Sequence, residues 1–166
     1  GTFFLINLAH QVFPATWVLY TKYRFQWTEL DTGLSFAAVG VMAAIVQGGL
    51  TRKVIPWLGE SASVLVGLAI FTAAYLGYGL ASQGWMMYAM IVFGSLGGIC
   101  GPAAQGLISR GVRADEQGAV QGALTSLGSV AGIIGPPIAA ALFSRFTGPQ
   151  ALAHVPGAAF FFGGFL

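Results

Sequence analysis

Residues 61–81 read SASVLVGLAIFTAAYLGYGLA and contain no charged side chain. A helix needs about 20 predominantly apolar residues to cross the hydrocarbon core of a bilayer. The stretch is long enough to do so, and charges and turn residues border it on both sides. It therefore predicts a transmembrane helix, and with it an all-α membrane protein.

The same pattern recurs on both sides of this stretch. Breaks placed at clusters of charges and turn residues divide the chain into six apolar spans, of which the sixth has only about 12 residues, or roughly 18 Å of helix. Because the hydrocarbon core is about 30 Å thick, we expect the sixth helix to continue beyond residue 166. The predicted spans are 2–20, 33–51, 61–81, 85–108, 118–144 and 155–166.

Composition supports a chain that is almost entirely membrane-embedded. Of its 166 residues 56% are hydrophobic and 7% charged, whereas soluble domains carry about 25% charged residues. We therefore treat residues 1–166 as one membrane domain, with the lipid bilayer as its surroundings. A net charge of +2 is too small and dispersed to indicate a nucleic-acid partner. The charges lie between the spans, as expected from the high cost of a charge at a helix centre.

One face of the first span is polar. Asn7, His10, Gln11 and Pro14 follow the i, i+3, i+4, i+7 spacing that places residues on one side of a helix. In lipid such a face should turn toward protein or a water-filled cavity. His10 has two interpretations, a proton or substrate site near the midplane or a histidine hydrogen-bonded between helices for structural reasons, and both stay open.

Glutamines Gln47 and Gln105 lie in otherwise apolar or glycine-rich sequence. An uncharged amide can orient a ligand or bridge two helices, and either role fits these positions.

Glycine and proline mark two further helices. Gly97 and Gly101 form a small-xxx-small pair before Pro102, which indicates close helix packing. In the fifth span Gly135 and Pro136 predict a kink or break. The same span carries a polar, close-packed stripe formed by Gln121, Thr125, Ser129 and Gly132.

Patterns typical of enzymes are missing from the sequence. There is no HExxH, GxSxG or P-loop pattern and no acid inside a span. The single cysteine, Cys100, excludes an intrachain disulfide and a cysteine-based metal site. We therefore predict no enzymatic activity, no metal site and no resident cofactor.

The order of motifs resembles the C-terminal half of major facilitator superfamily drug/proton antiporters, and in particular tetracycline efflux pumps. The resemblance implies a twelve-helix bacterial inner-membrane transporter built of two six-helix halves, each with two inverted three-helix repeats. Its implied partners are an N-terminal half outside this sequence and a small hydrophobic drug, tetracycline-like or multidrug, with the proton as coupling ion. A metal-chelated drug is one form of such a cargo. The stretches concerned are HQVFPATWVLYTKYRFQWTELDTGLSFAAVG, LGESASVLVG, GWMMYAMIVFGSLGGICGPAAQGLISR and EQGAVQGALTSLGSVAGIIGPPIAAALF.

The resemblance also implies roles for single residues. Gln11, Pro14, Trp17 and Gln47 match positions that line the central cavity of such pumps, and Gly135 with Pro136 matches a helix break. Ala43 stands where tetracycline pumps have a histidine tied to drug and proton handling, which leaves the cargo open. Two alternatives remain: a non-transporting half-transporter module, and a facilitator of another small metabolite.

Overall fold

The computed structural model describes residues 2–113, 115–148 and 155–166. Regular structure in these ranges is helical throughout, so the predicted six-helix membrane bundle is confirmed. The first five helices are long and apolar enough to cross a membrane, while the sixth has eight residues. The helices are α1 (Thr2–Phe25), α2 (Glu29–Leu58), α3 (Glu60–Leu80), α4 (Gly84–Gly111), α5 (Gln117–Thr147) and α6 (Ala158–Phe165).

Helices extend beyond the predicted spans at most ends. Helix α2 includes Asp31 and Arg52, and α4 includes Arg110, all of which the span boundaries had placed in loops. A charge marks where a chain leaves hydrocarbon, but a helix satisfies its own backbone hydrogen bonds and can continue into water. At the start of α2 a capping box fixes the end: the Asp31 N–H donates to Thr28 Oγ1 (3.2 Å), and the Thr28 N–H donates to the Asp31 carboxylate (2.9 Å).

Two helices contain irregular turns that lie against each other. Helix α2 widens to a π-helical turn over Val46–Leu50, where the Thr51 hydroxyl donates to the Val46 carbonyl (2.9 Å). Helix α4 tightens to a 3₁₀ turn over Leu96–Ile99. The two turns are in contact, with Val46 beside Gly98. Such turns are frequent at functional sites.

Helix α5 is continuous from Gln117 to Thr147 and runs through Pro136 and Pro137. The predicted break at Gly135 and Pro136 is therefore not an interruption of the helix. Proline removes one backbone donor, but helices in membrane proteins tolerate it because neighbouring groups satisfy the freed carbonyls.

The six helices form two groups of three. Helix α1 packs with α5 and α6, and α2 packs with α3 and α4. The groups meet chiefly where α3 lies along α6. The two backbones approach closely there, because a Cβ added to Gly157, just before α6, would lie 2.6 Å from the Gly79 backbone. We call the boundary between the two groups the seam.

Aromatic side chains close one part of the seam. Trp17, Tyr20, Tyr75, Tyr78 and Phe160 form a buried cluster that joins α1, α3 and α6. Three hydrogen bonds shorter than 3.0 Å cross the seam here: Trp17 Nε1 to Ser35 Oγ (2.8 Å), the Tyr20 hydroxyl to the Tyr78 carbonyl (2.9 Å), and the Tyr75 hydroxyl to the Ala9 carbonyl (2.9 Å). The cluster therefore fixes α1 against α2 and α3.

Candidate functional site

An apolar cavity of about 320 Å³ lies between α1 and α2, with α3 and α4 forming its floor. Helix α1 supplies His10 and Pro14, and α2 supplies Ala43 and Gln47 from the region of the π-helical turn. Five aromatic rings contribute to its walls: Phe13, Phe36, Phe71, Tyr75 and Tyr78.

The polar groups on the cavity wall fall into two kinds. The hydroxyls of Tyr75 and Ser95 are already engaged, since Tyr75 donates to the Ala9 carbonyl and Ser95 to the Ile91 carbonyl (2.7 Å). In the described part of the chain the side chains of His10, Gln47 and Tyr78 have no hydrogen-bond partner. These three groups are therefore available to a molecule in the cavity.

A second recess, the polar groove, has a volume of about 420 Å³ and lies between α1, α4 and α5. The Gln121 side-chain Nε2 donates to Gln105 Oε1 (2.9 Å) and so joins α5 to α4 across the seam. The Asn7 amide donates to the Phe3 carbonyl (2.8 Å), whereas Gln11 has no partner among the described residues. Further along the groove lie the α5 residues Thr125, Ser129 and Gly132.

The polar face of α1 is divided between the two recesses. His10 and Pro14 line the apolar cavity, and Asn7 and Gln11 line the polar groove. Among the predicted glutamines, Gln47 lines the cavity, while Gln105 and Gln121 line the groove. Seven of the eight predicted substrate-contacting residues thus fall on two adjoining sites.

Trp17, which was predicted to line the central cavity, lies away from both recesses of this structure. Its side chain is fully buried in the aromatic cluster, with the indole N–H bonded to Ser35, and it lines neither recess. Burial of a large ring with its N–H satisfied is a packing arrangement.

The predicted packing glycines differ in their surroundings. A Cβ on Gly97 would lie 2.9 Å from the Gly67 carbonyl, and one on Gly135 would lie 2.8 Å from Gln11 Cβ, so both allow close helix contact. At Gly132 the nearest atom to such a Cβ is Gln11 Nε2 (3.5 Å). Gly101, by contrast, has no atom within 4 Å of that position, and Pro102 is exposed, so neither packs closely against the described chain.

The sequence interpretation missed the aromatic wall of the cavity. A phenylalanine or tyrosine in an uncharged span can face lipid, the protein core or a cavity, and its position in the sequence does not distinguish these environments. The unbonded Tyr78 hydroxyl in particular has no signal in the sequence.

Both recesses have the shape and lining of small-molecule sites as far as their described residues go. Their walls combine aromatic faces with neutral amides and hydroxyls, the usual composition of a small-molecule site. Within the described ranges no three histidine, cysteine, aspartate or glutamate residues cluster in a way that could hold a metal ion.

Comparison with known proteins agrees with this architecture. The sequence model described as Major Facilitator Superfamily matches residues 1–136, and the chain belongs to that family. It is 40% identical over 148 residues to the class G tetracycline resistance protein of Vibrio anguillarum, covering 89% of this chain and 38% of that protein. It is 34% identical over 160 residues to the class C tetracycline resistance protein of Escherichia coli, covering 96% of this chain and 40% of that protein.

A more distant relative comes from an animal. Hippocampus abundant transcript-like protein 1 of Mus musculus is 28% identical over 176 residues, covering 98% of this chain and 35% of that protein. The chain thus spans about two fifths of the length of the curated relatives it matches. No solved structure matches it.

Proposed function

We propose that this chain is one six-helix half of a membrane transporter that exports a hydrophobic drug in exchange for protons by alternating access. The observation that carries the proposal is the pair of uncharged recesses on either side of the polar face of α1. Membership of the family and the similarity to tetracycline resistance proteins support it. In this proposal the part of the transporter outside this sequence supplies the other half of the site, in the inner membrane of a bacterium.

The cargo that fits best is uncharged at the surfaces it presents to this half, with a ring system and several neutral polar groups. The cavity volumes of about 320 and 420 Å³ lie at the lower end of the range of ligand pockets, roughly 300–1,000 Å³. Rings would pack in the apolar cavity, and carbonyl, hydroxyl or amide groups would pair with Gln11, Gln105 and Gln121. A tetracycline, free or metal-chelated, is the first cargo to test; any metal would arrive with the drug as part of the substrate.

Alternating access requires that contacts on one side of the site open while those on the other close. Between α4 and α5 the seam is crossed by the exposed Gln105–Gln121 amide pair and by a longer exposed bond from Gln117 Nε2 to the Ser109 carbonyl (3.4 Å). The aromatic cluster instead crosses the seam through several buried rings and three hydrogen bonds shorter than 3.0 Å. An exposed neutral hydrogen bond is readily exchanged with water. We therefore place the movable part of this half at the groove.

The test is transport by the full-length protein in inverted membrane vesicles from a pump-deficient bacterium. Vesicles should accumulate tetracycline when a pH gradient is imposed and should lose it when nigericin dissipates the gradient. Gln11→Leu, which removes an unpaired amide from the groove, should raise KM about tenfold. Ser144→Ala, which removes an exposed hydroxyl that bonds only within α5 and lies outside the groove, should leave KM unchanged.

Other results would contradict the proposal in distinct ways. Uptake that follows the tetracycline gradient but ignores the pH gradient would favour the facilitator alternative. An absence of transport for tetracycline and for a panel of unrelated hydrophobic drugs would favour the non-transporting module.

A further inference from the structure

We propose that Tyr78 of α3 contacts the cargo and sets its specificity, with its hydroxyl hydrogen-bonding to a neutral polar atom on the ring system in the apolar cavity. The inference rests on the proposed function and adds a residue to it. Tyr78 was not among the residues that the sequence singled out.

The neighbouring tyrosines show why Tyr78 differs. Tyr20, Tyr75 and Tyr78 all belong to the aromatic cluster and are all at least nine-tenths buried. The Tyr20 hydroxyl donates to the Tyr78 carbonyl and the Tyr75 hydroxyl to the Ala9 carbonyl, both at 2.9 Å. The Tyr78 side chain is 5% exposed and lines the cavity, yet its hydroxyl has no partner anywhere in the described chain.

The Tyr78 ring is held in place from several sides. Its centroid lies 5.3 Å from that of Trp17 in an edge-to-face arrangement, 5.4 Å from that of Phe13 and 5.6 Å from that of Phe160. The hydroxyl lies next to Gly94, where an added Cβ would be 3.5 Å from the oxygen. The hydroxyl is therefore positioned before any cargo binds, which reduces the entropy lost on binding.

Among the described residues the fully buried side-chain oxygen that lacks a partner is Thr16 Oγ1, and the Tyr78 hydroxyl is not such an atom: it is unpaired but accessible from the cavity that Tyr78 lines. A water molecule needs two to four polar partners to be well bound, and the wall around Tyr78 is mostly aromatic and aliphatic. A cargo that supplies a polar atom and fills the apolar space satisfies the hydroxyl and the rings together.

The chemistry of the wall defines the class of cargo. Aromatic faces favour a ring system, and the described lining has no lysine, arginine, aspartate or glutamate to balance a charge on the cargo; the imidazole of His10 is the one described lining group that can gain a positive charge. The Tyr78 hydroxyl can donate to a carbonyl or accept from a hydroxyl or amide. The portion of the cargo seated here is therefore an uncharged ring bearing a carbonyl, hydroxyl or amide group.

The experiment compares Tyr78→Phe with wild type in the full-length transporter, using radiolabelled tetracycline in inverted vesicles with a fixed pH gradient. Loss of one neutral hydrogen bond should raise KM by about three- to tenfold with kcat unchanged. The matched control is Tyr20→Phe, which removes a buried phenolic hydroxyl that lines neither recess. It should lower the melting temperature in detergent without changing KM.

Each outcome decides the inference. A KM for Tyr78→Phe equal to that of wild type, or an equal rise of KM in both variants, overturns the role of Tyr78 and leaves the proposed function standing. Absence of tetracycline transport by well-folded wild-type protein overturns the proposed function with tetracycline as cargo, and the Tyr78 assignment with it. A melting temperature near that of wild type for Tyr78→Phe shows that a raised KM does not result from misfolding.

Discussion

At the scale of single residues, two predicted site residues on α1 lie in different environments. His10 is exposed and lines the apolar cavity without a hydrogen-bond partner in the described chain. Trp17, two turns further along the same helix, is fully buried and bonded to Ser35. A partnerless imidazole beside a cavity fits a proton or substrate site, because ionisable groups inside membranes are costly to keep without a function.

His10 provides the residue-scale prediction. His10→Ala should lower the rate of tetracycline transport about tenfold and flatten its pH dependence, because an imidazole can change charge within the physiological pH range and alanine cannot. The measurement is the initial rate in vesicles as a function of pH. Because Ala43 lines the same cavity from α2, the double variant His10→Ala with Ala43→His should recover part of both properties. An unaltered rate and pH profile in His10→Ala would remove this residue from the mechanism.

The sequence allowed the polar face of α1 to be predicted but not its division between two recesses. The period of a helix places Asn7, His10, Gln11 and Pro14 on one side, and that much is visible in the structure. Which neighbour each residue meets depends on how α2, α4 and α5 pack around α1, and side-chain spacing along one helix contains no information about that packing. The burial of Trp17 escaped prediction for the same reason.

At the scale of helices, the lengths of the apolar stretches predicted the regular helical segments but not the irregular turns. The π-helical turn Val46–Leu50 and the 3₁₀ turn Leu96–Ile99 contain glycines and ordinary aliphatic residues that also occur in regular helices. Their geometry arises from contact between α2 and α4, which is a tertiary effect. Helices α3 and α4 also approach closely near the 3₁₀ turn. A Cβ added to Gly67 of α3 would lie 2.7 Å from Cys100 Cβ and 2.9 Å from the Gly97 carbonyl.

Two glycines of α3 test this contact. Gly67→Ala should destabilise the protein by about 1–3 kcal/mol, because backbone on α4 cannot move aside without shifting the helix. Gly77→Ala is the matched control on the same helix: its Cβ would overlap only the flexible Met90 side chain, which can rotate away. We expect Gly77→Ala to remain within about 1 kcal/mol of wild type, aided by the higher helix propensity of alanine. Thermal unfolding in detergent measures both, and equal stability of the two variants would contradict the described contact.

At the scale of the whole molecule, the arrangement of two three-helix groups could not be read from the sequence. The number of helices follows from hydrophobic length and charge, but the pairing of α1 with α5 and of α2 with α4 is between elements distant in the chain. Family resemblance supplied the six-helix unit. The seam and its unequal closure, by an aromatic cluster in one region and an amide pair in another, came from the structure.

The seam provides the whole-molecule prediction. In a Cys100→Ala background, Gln105→Cys and Gln121→Cys joined by a short thiol cross-linker should reduce transport at least about tenfold, because the two groups can no longer separate at the groove. Reductive release of a cleavable linker should restore transport. The control joins Glu60→Cys to Arg110→Cys, which links α3 to α4 within one group where the native side chains form an ion pair (3.1 Å). That cross-link should leave transport equal to that of the unlinked control variant.

The neutral walls of the two recesses determine how this half responds to its surroundings. Their described lining contains no lysine, arginine, aspartate or glutamate. Dissolved salt weakens attraction between ions, shortening the Debye length from about 30 Å at 0.01 M to about 3 Å at 1 M, but leaves dispersion forces and short neutral hydrogen bonds almost untouched. A molecule bound by these walls should therefore have the same affinity in dilute and in concentrated electrolyte while His10 is neutral. A dependence of binding on ionic strength would point to a protonated His10 or to residues outside the two recesses.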